Sequence, residues 1–151
     1  MALKENILEV NYIIDGSLSV ILTKVICEKH HKSEIQRIYY VIKGKGLNIV
    51  SETSGDTESS IVKLQKSLPQ NTSIACCQSC KNGSFCPYGD NDNEIFCLKD
   101  MSINDRDDVC EFFTTNHDLV RSRSRKLIEF CKDYESICDA KHYTYNNWCC
   151  K

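Results

Sequence analysis

Apolar and polar positions alternate along the first fifty residues with the period of a β-strand. In NILEVNYII the residues Leu8, Val10, Tyr12 and Ile14 fall on alternate positions, and Leu18, Val20 and Leu22 do the same in SLSVILTKVIC. Side chains two residues apart share one face of a strand, so each run reads as half-buried sheet. Asp15-Gly16 between them is a two-residue turn that tolerates positive φ, which makes the pair a hairpin. The polar turn EKHHKSE then leads to IQRIYYVIK, whose β-branched and aromatic residues have strand density. Gly44 and Gly46 bracket a lysine in a tight turn before LNIV, a fourth short strand. The expectation is an antiparallel meander with one face in need of cover.

After the polar stretch SETSGDTESS the period changes. Ile61, Leu64 and Leu68 fall at i, i+3 and i+7, and Pro69 ends the run, predicting a short amphipathic helix laid on the sheet. Residues 72–77 and 94–98 are short apolar runs that could pair across a polar loop and bring Cys77 near Cys97. Asn104 or Asp105 is placed to cap a helix through DRDDVCEFF, because a short polar side chain accepts the free N–H groups of a first turn and acidic residues suit its dipole. A second helix is predicted over 118–137, carrying Leu119, Leu127, Phe130 and Tyr134. The pattern predicts one α+β domain over 1–151: mainly strands in 1–57, a helix and a cysteine-rich loop in 58–100, and helices in 101–151. No internal repeat or linker composition interrupts it.

Composition changes this picture at one point, the cysteines: eleven in 151 residues. The net charge of −2 supplies no bulk field towards nucleic acid or an anionic membrane. The start MALKENILEVNY lacks the basic flank and apolar run of a signal peptide, and residues 13–26 are broken by Asp15, Gly16 and Lys24. No membrane span is expected, and the expected compartment is the cytoplasm. There disulfides rarely persist, and clustered cysteines more often bind metal or do redox work.

Five of the eleven lie in CCQSCKNGSFCPYGDNDNEIFC, residues 76–97. Cys77 and Cys80 form a C-x2-C pair, a spacing that lets two thiolates turn around one tetrahedral ion. Structural zinc takes four ligands, so a second pair must come from Cys86, Cys97, Cys110, Cys131, Cys138, Cys149 and Cys150. The nearest choice, Cys86 with Cys97, would close a small ribbon. Because the loop from Gln78 to Glu94 has almost nothing apolar to bury, metal binding, worth on the order of 10 kcal/mol, is expected to organise it. Four thiolates would serve an iron–sulfur cluster as well as zinc. Cys110 and Cys131 are read as small core side chains of the two helices.

The run CCQSCKNGSFCPYG followed by EIFCLKD resembles the signature of a bacterial family of small uncharacterised proteins, with a doubled cysteine, C-x2-C, a PYG turn and a later cysteine before a lysine. The resemblance covers residues 75 to 100. It implies an N-terminal sheet region and a further cysteine near the end of a C-terminal helix. Carried across, Cys77, Cys80 and Cys97 match the motif, and the fourth position falls at Cys138, with Cys131 or Cys86 as alternatives. Cys86 stands where the family pattern has serine. The implied site is therefore one structural zinc held by Cys77, Cys80, Cys97 and Cys138.

Other constellations point to less. His30, His31, His117 and His142 lack the spacing of a catalytic zinc site, and no enzymatic activity is expected. No βαβ unit frames the C-x2-C as a thioredoxin-type redox motif. Asp90, Asp92 and Glu94 imitate a calcium loop, but its sixth position lacks glycine and its twelfth is Met101. RSRSRK, residues 121–126, would set Arg121 and Arg125 on one helical face. The expected function is a cytoplasmic interaction module of the immunity or defence type, in which zinc fixes a surface for another protein. A nucleic-acid-binding module using Arg121, Arg123, Arg125 and Lys126, and a thiol redox or metal-handling protein, are the alternatives.

Overall fold

The computed structural model describes residues 2–30, 35–89, 93–139, 143–148 and 150; His31, Asp90, Asp92, His142 and Cys149 lie outside the described residues. The architecture is α+β, but the chain divides into two compact units, Met1–Ile74 and Ala75–Cys150. No composition break marks that boundary.

In the first unit β1 (Ala2–Ile14) and β2 (Ser17–Lys29) pair antiparallel along their whole length. Asp15 and Gly16 both take positive φ (50° and 81°), the twist a two-residue hairpin requires. β3 (Gln36–Gly44) and β4 (Leu47–Val50) repeat the device, with Lys45 at 52° and Gly46 at 79°. Helix α1 (Thr57–Ser67) starts at Asp56, whose side chain accepts from the Ser59 N–H at 2.7 Å. Its stripe of Ile61 and Leu64, continued by the capping residue Leu68, is buried. The strand β5 (Thr72–Ala75) closes a sheet of order β4-β3-β2-β1-β5. The inner face buries Val10, Tyr12, Ile21, Ile38, Tyr40 and Ile42; Tyr12 Oη lies 2.8 Å from Thr23 Oγ1, so neither buried hydroxyl is orphaned.

The second unit departs further from the sequence pattern. Residues 72–75 join the first sheet, whereas β7 (Ile95–Cys97) pairs with β6 (Gly83–Ser84) and β8 (Ser124–Arg125). The expected pairing of 72–77 with 94–98 is not formed. Helix α2 (Arg106–Thr115) is capped by Asp105, which accepts from the Asp108 N–H at 3.0 Å. Val109, Phe112 and Phe113 pack with Phe96, Leu98 and Ile103 into a core in which Phe113 meets Phe96 and Phe112 edge to face.

The helix expected over 118–137 ends early: α3 covers only His117–Ser122. Beyond it the backbone serves other segments instead of itself. Cys97 donates its N–H to the Arg123 carbonyl at 2.9 Å, Gln78 to that of Leu127 at 3.1 Å, Cys77 to that of Glu129 at 2.7 Å and Lys81 to that of Glu135 at 2.8 Å. Carbonyls turned towards other segments in this way do not line up along a helix axis. Burial of Leu127 at 0% exposure holds the turn that follows β8 in place, so packing outweighs helix propensity.

Candidate metal centre

Three segments meet around one cavity of about 110 Å³: the turn after β5, the end of β7 and the turn after β8. Cys77, Cys80, Cys97 and Cys131 all line it. The first two sit at either end of a single helical turn, Cys77–Ser79, closed by the Cys80 N–H donating to the Cys77 carbonyl at 3.3 Å. Gly83 must be glycine here, since a Cβ would run into the Cys77 carbonyl oxygen. Cys97 ends β7 opposite Gly83, and its carbonyl accepts from the Arg123 guanidinium at 2.9 Å, as does that of Lys99. Cys131 is exposed, not the core residue its expected helix would have made it.

Of the four cysteines that the resemblance implies, Cys77, Cys80 and Cys97 line the cavity and Cys138 does not. Cys138 is bonded to Cys150 in a disulfide, and Cys131 lines the cavity instead. The reason is the truncated helix: the chain turns at 132–133, and a short turn over Ile137–Asp139 carries Cys138 to the C-terminal tail. Cys86 packs against the aromatic core.

The polar loop is not empty of order. Gln78, Ser79 and Ser84 are buried, and Ser79 Oγ bonds the Cys76 N–H at 3.1 Å and lies 3.0 Å from the Tyr134 hydroxyl. Asn146 donates to the Gln78 carbonyl at 2.7 Å. Nothing in the local pattern marks Tyr134 or Asn146 for this, because the segments they join lie more than fifty residues apart.

Burial pushes the Cys77 thiol up to about 12, and the neighbouring Cys76, Cys80 and Cys131 thiols and the Glu129 carboxylate push the same way. Cys76 is raised to about 11 by burial, against hydrogen bonds from Ser79. Such thiols are not nucleophiles at neutral pH, which weighs against a thioredoxin-type use of the C-x2-C. A thiol raised in the fold ionises first in the unfolded chain, so its contribution is whole below about pH 9 and lost as pH rises through about 12. Metal-stripped, reduced protein is therefore expected to lose melting temperature steadily above pH 9; a flat profile from pH 8 to 11 would contradict a buried protonated Cys77.

Among the described residues no three His, Cys, Asp or Glu side chains converge at metal-binding geometry; the four thiols share a cavity without meeting at a point. The basic patch is dispersed: Arg123 is committed to the carbonyls of Cys97 and Lys99, and Arg125 donates to those of Ser122 and Ser124. His30 and His117 are exposed. No helix among the described residues is long and apolar enough to cross a membrane. No family model, curated protein or solved structure matches the chain.

Proposed function

We propose that the second unit is a structural zinc module, with Cys77, Cys80, Cys97 and Cys131 as ligands, and that the protein works in the cytoplasm by binding another protein. The observation that carries the reading is the lining of one cavity by four thiols from three separate segments. Cysteine-only donor sets suit zinc, and a tetrahedral ion needs four of them. The donor chemistry is that of zinc, while the charged side chains of the same wall balance: Lys99 and Arg125 stand with Glu129 and Asp133, and Lys99 is paired with Asp133 at 2.8 Å. Zinc held there would cross-link the Cys77–Cys80 turn, the end of β7 and the 131–133 turn, adding to the backbone bonds that already join them.

Eight free thiols among the described residues accord with a reducing compartment, where the Cys138–Cys150 disulfide would be open much of the time. Binding to a protein is supported by the first unit, whose sheet leaves one apolar face exposed. The deciding experiment is elemental analysis with an absorption spectrum on protein purified without added metal. About one zinc per chain and a colourless sample are expected; a brown sample containing iron would replace zinc by a cluster, and metal-free protein would end the reading.

A further inference from the structure

Alternation along β1 and β2 leaves Leu3, Ile7, Leu18, Val20 and Leu22 on the face of the sheet opposite the core, and Val50 of β4 joins them. Each is more than half exposed. A fully buried aliphatic side chain hides about 60–120 Å² at the usual transfer coefficient, so this face offers on the order of 300–400 Å² of apolar surface. That approaches the apolar share of a standard interface of about 800 Å² per partner, and lies in the size range of patches that are functional on monomers.

The charges on this face are ordered across the strands. β1 presents Glu5 and Glu9, β3 presents Arg37 and Lys43, and β2 between them carries Leu18, Val20 and Leu22 together with one charge of each sign, Lys24 and Glu28. Glu9 is paired with Leu22, and continuing the Thr23–Ile42 register by one residue sets Lys43 on the other side of Leu22. Glu9, Leu22 and Lys43 thus form one row across three strands, with β2, the central strand of five, in the middle. Ile7, Lys24 and Val41 form the next row of this face.

From this order we infer that the outer face of the sheet is the interface of a homodimer, two copies stacked about a two-fold axis that runs along β2. Such an axis lays β1 of one copy over β3 of the other. Glu9 then faces Lys43 twice, Ile7 faces Val41 twice, and the two Leu22 side chains meet at the centre. The same axis brings the two Lys24 side chains together, each with Glu5 of its own copy 3.9 Å away to offset part of its charge. Stacked sheets lie about 10 Å apart with strands within about 30°, which long aliphatic side chains on both sides can fill. A face whose two halves carry opposite charge fits an inverted copy of itself.

The inference rests on the interaction reading above but goes further by naming the partner. Sedimentation of the reduced full-length protein is expected to show a dimer that dissociates on dilution from about 100 μM. Leu22→Asp should be monomeric throughout with an unchanged far-ultraviolet spectrum, since the residue is exposed in the single chain. Glu9→Lys should weaken association about tenfold by placing like charges together twice, and Lys43→Glu in the same chain should recover most of that loss. A wild-type protein that stays monomeric at about 100 μM would overturn the homodimer while leaving capture of a different protein open. A double variant no tighter than Glu9→Lys alone would overturn the stacking.

Discussion

Cys131→Ser is expected to release the zinc and loosen the second unit, while Cys138→Ser keeps it. The two positions are separated by one observation: Cys131 lines the cavity with Cys77, Cys80 and Cys97, whereas Cys138 is bonded to Cys150. Structural zinc in small sites contributes on the order of 10 kcal/mol, far more than any other single interaction in this unit, and a three-thiolate remnant retains only part of it. Metal content in Cys131→Ser should fall from about one per chain to a small fraction, with the near-ultraviolet signal of the aromatic core lost at a temperature well below wild type. Cys80→Ser should behave like Cys131→Ser. Cys138→Ser, which at most opens the disulfide, should hold its zinc and shift the melting temperature modestly under oxidising conditions and not at all in reductant. If Cys138→Ser loses metal and Cys131→Ser does not, the fourth ligand is wrongly assigned and the tail must reach the cavity.

Leu127→Ala should destabilise the second unit by about 2–5 kcal/mol. The side chain is fully buried, and its segment is a non-helical turn because that burial, with the bonds to Gln78 and Cys77, outweighs helix formation. The alanine variant loses both contact and anchorage. It also favours the helix that the local pattern already encodes, so zinc affinity should fall although no ligand has changed. Leu119→Ala is the control: Leu119 lies on the short α3 and is exposed, and its removal should cost no more than about 0.5 kcal/mol. Denaturant titration of the two variants side by side checks this. Equal small losses would mean that the non-helical path of 124–129 does not depend on Leu127.

The misread helix shows where local reasoning stops. Leu119, Leu127, Phe130 and Tyr134 were consistent with one helical stripe, yet only six residues there are helical. The competing interactions came from Cys77, Gln78 and Cys97, between 26 and 52 residues away along the chain, and no window of twenty residues contains them. The resemblance implies Cys138 near the end of a C-terminal helix, whereas the chain leaves the helix at Ser122, and it is Cys131 that lines the cavity with Cys77, Cys80 and Cys97. The hairpins, by contrast, were legible in detail. Asp15-Gly16 and Lys45-Gly46 encode positive φ within two residues, but alternation did not mark the inner face of β2: Ile21 and Thr23 are buried, and Leu18, Val20 and Leu22 are each more than half exposed.

The sequence by itself determined the elements whose causes are local: four strands and their turns, the α1 stripe closed by Leu68 and Pro69, a capped start of α2 at Asn104 or Asp105, and the C-x2-C pair. Only the tertiary structure decided that the chain forms two compact units, that residues 123–135 bind the cysteine loop in place of coiling on themselves, and which thiols share a cavity. The physical reason is range. Turn dihedrals, caps and side-chain periods are set by neighbours within a few residues, whereas a cavity wall and a broken helix are set by the lowest total free energy among contacts between distant segments, which no local pattern records.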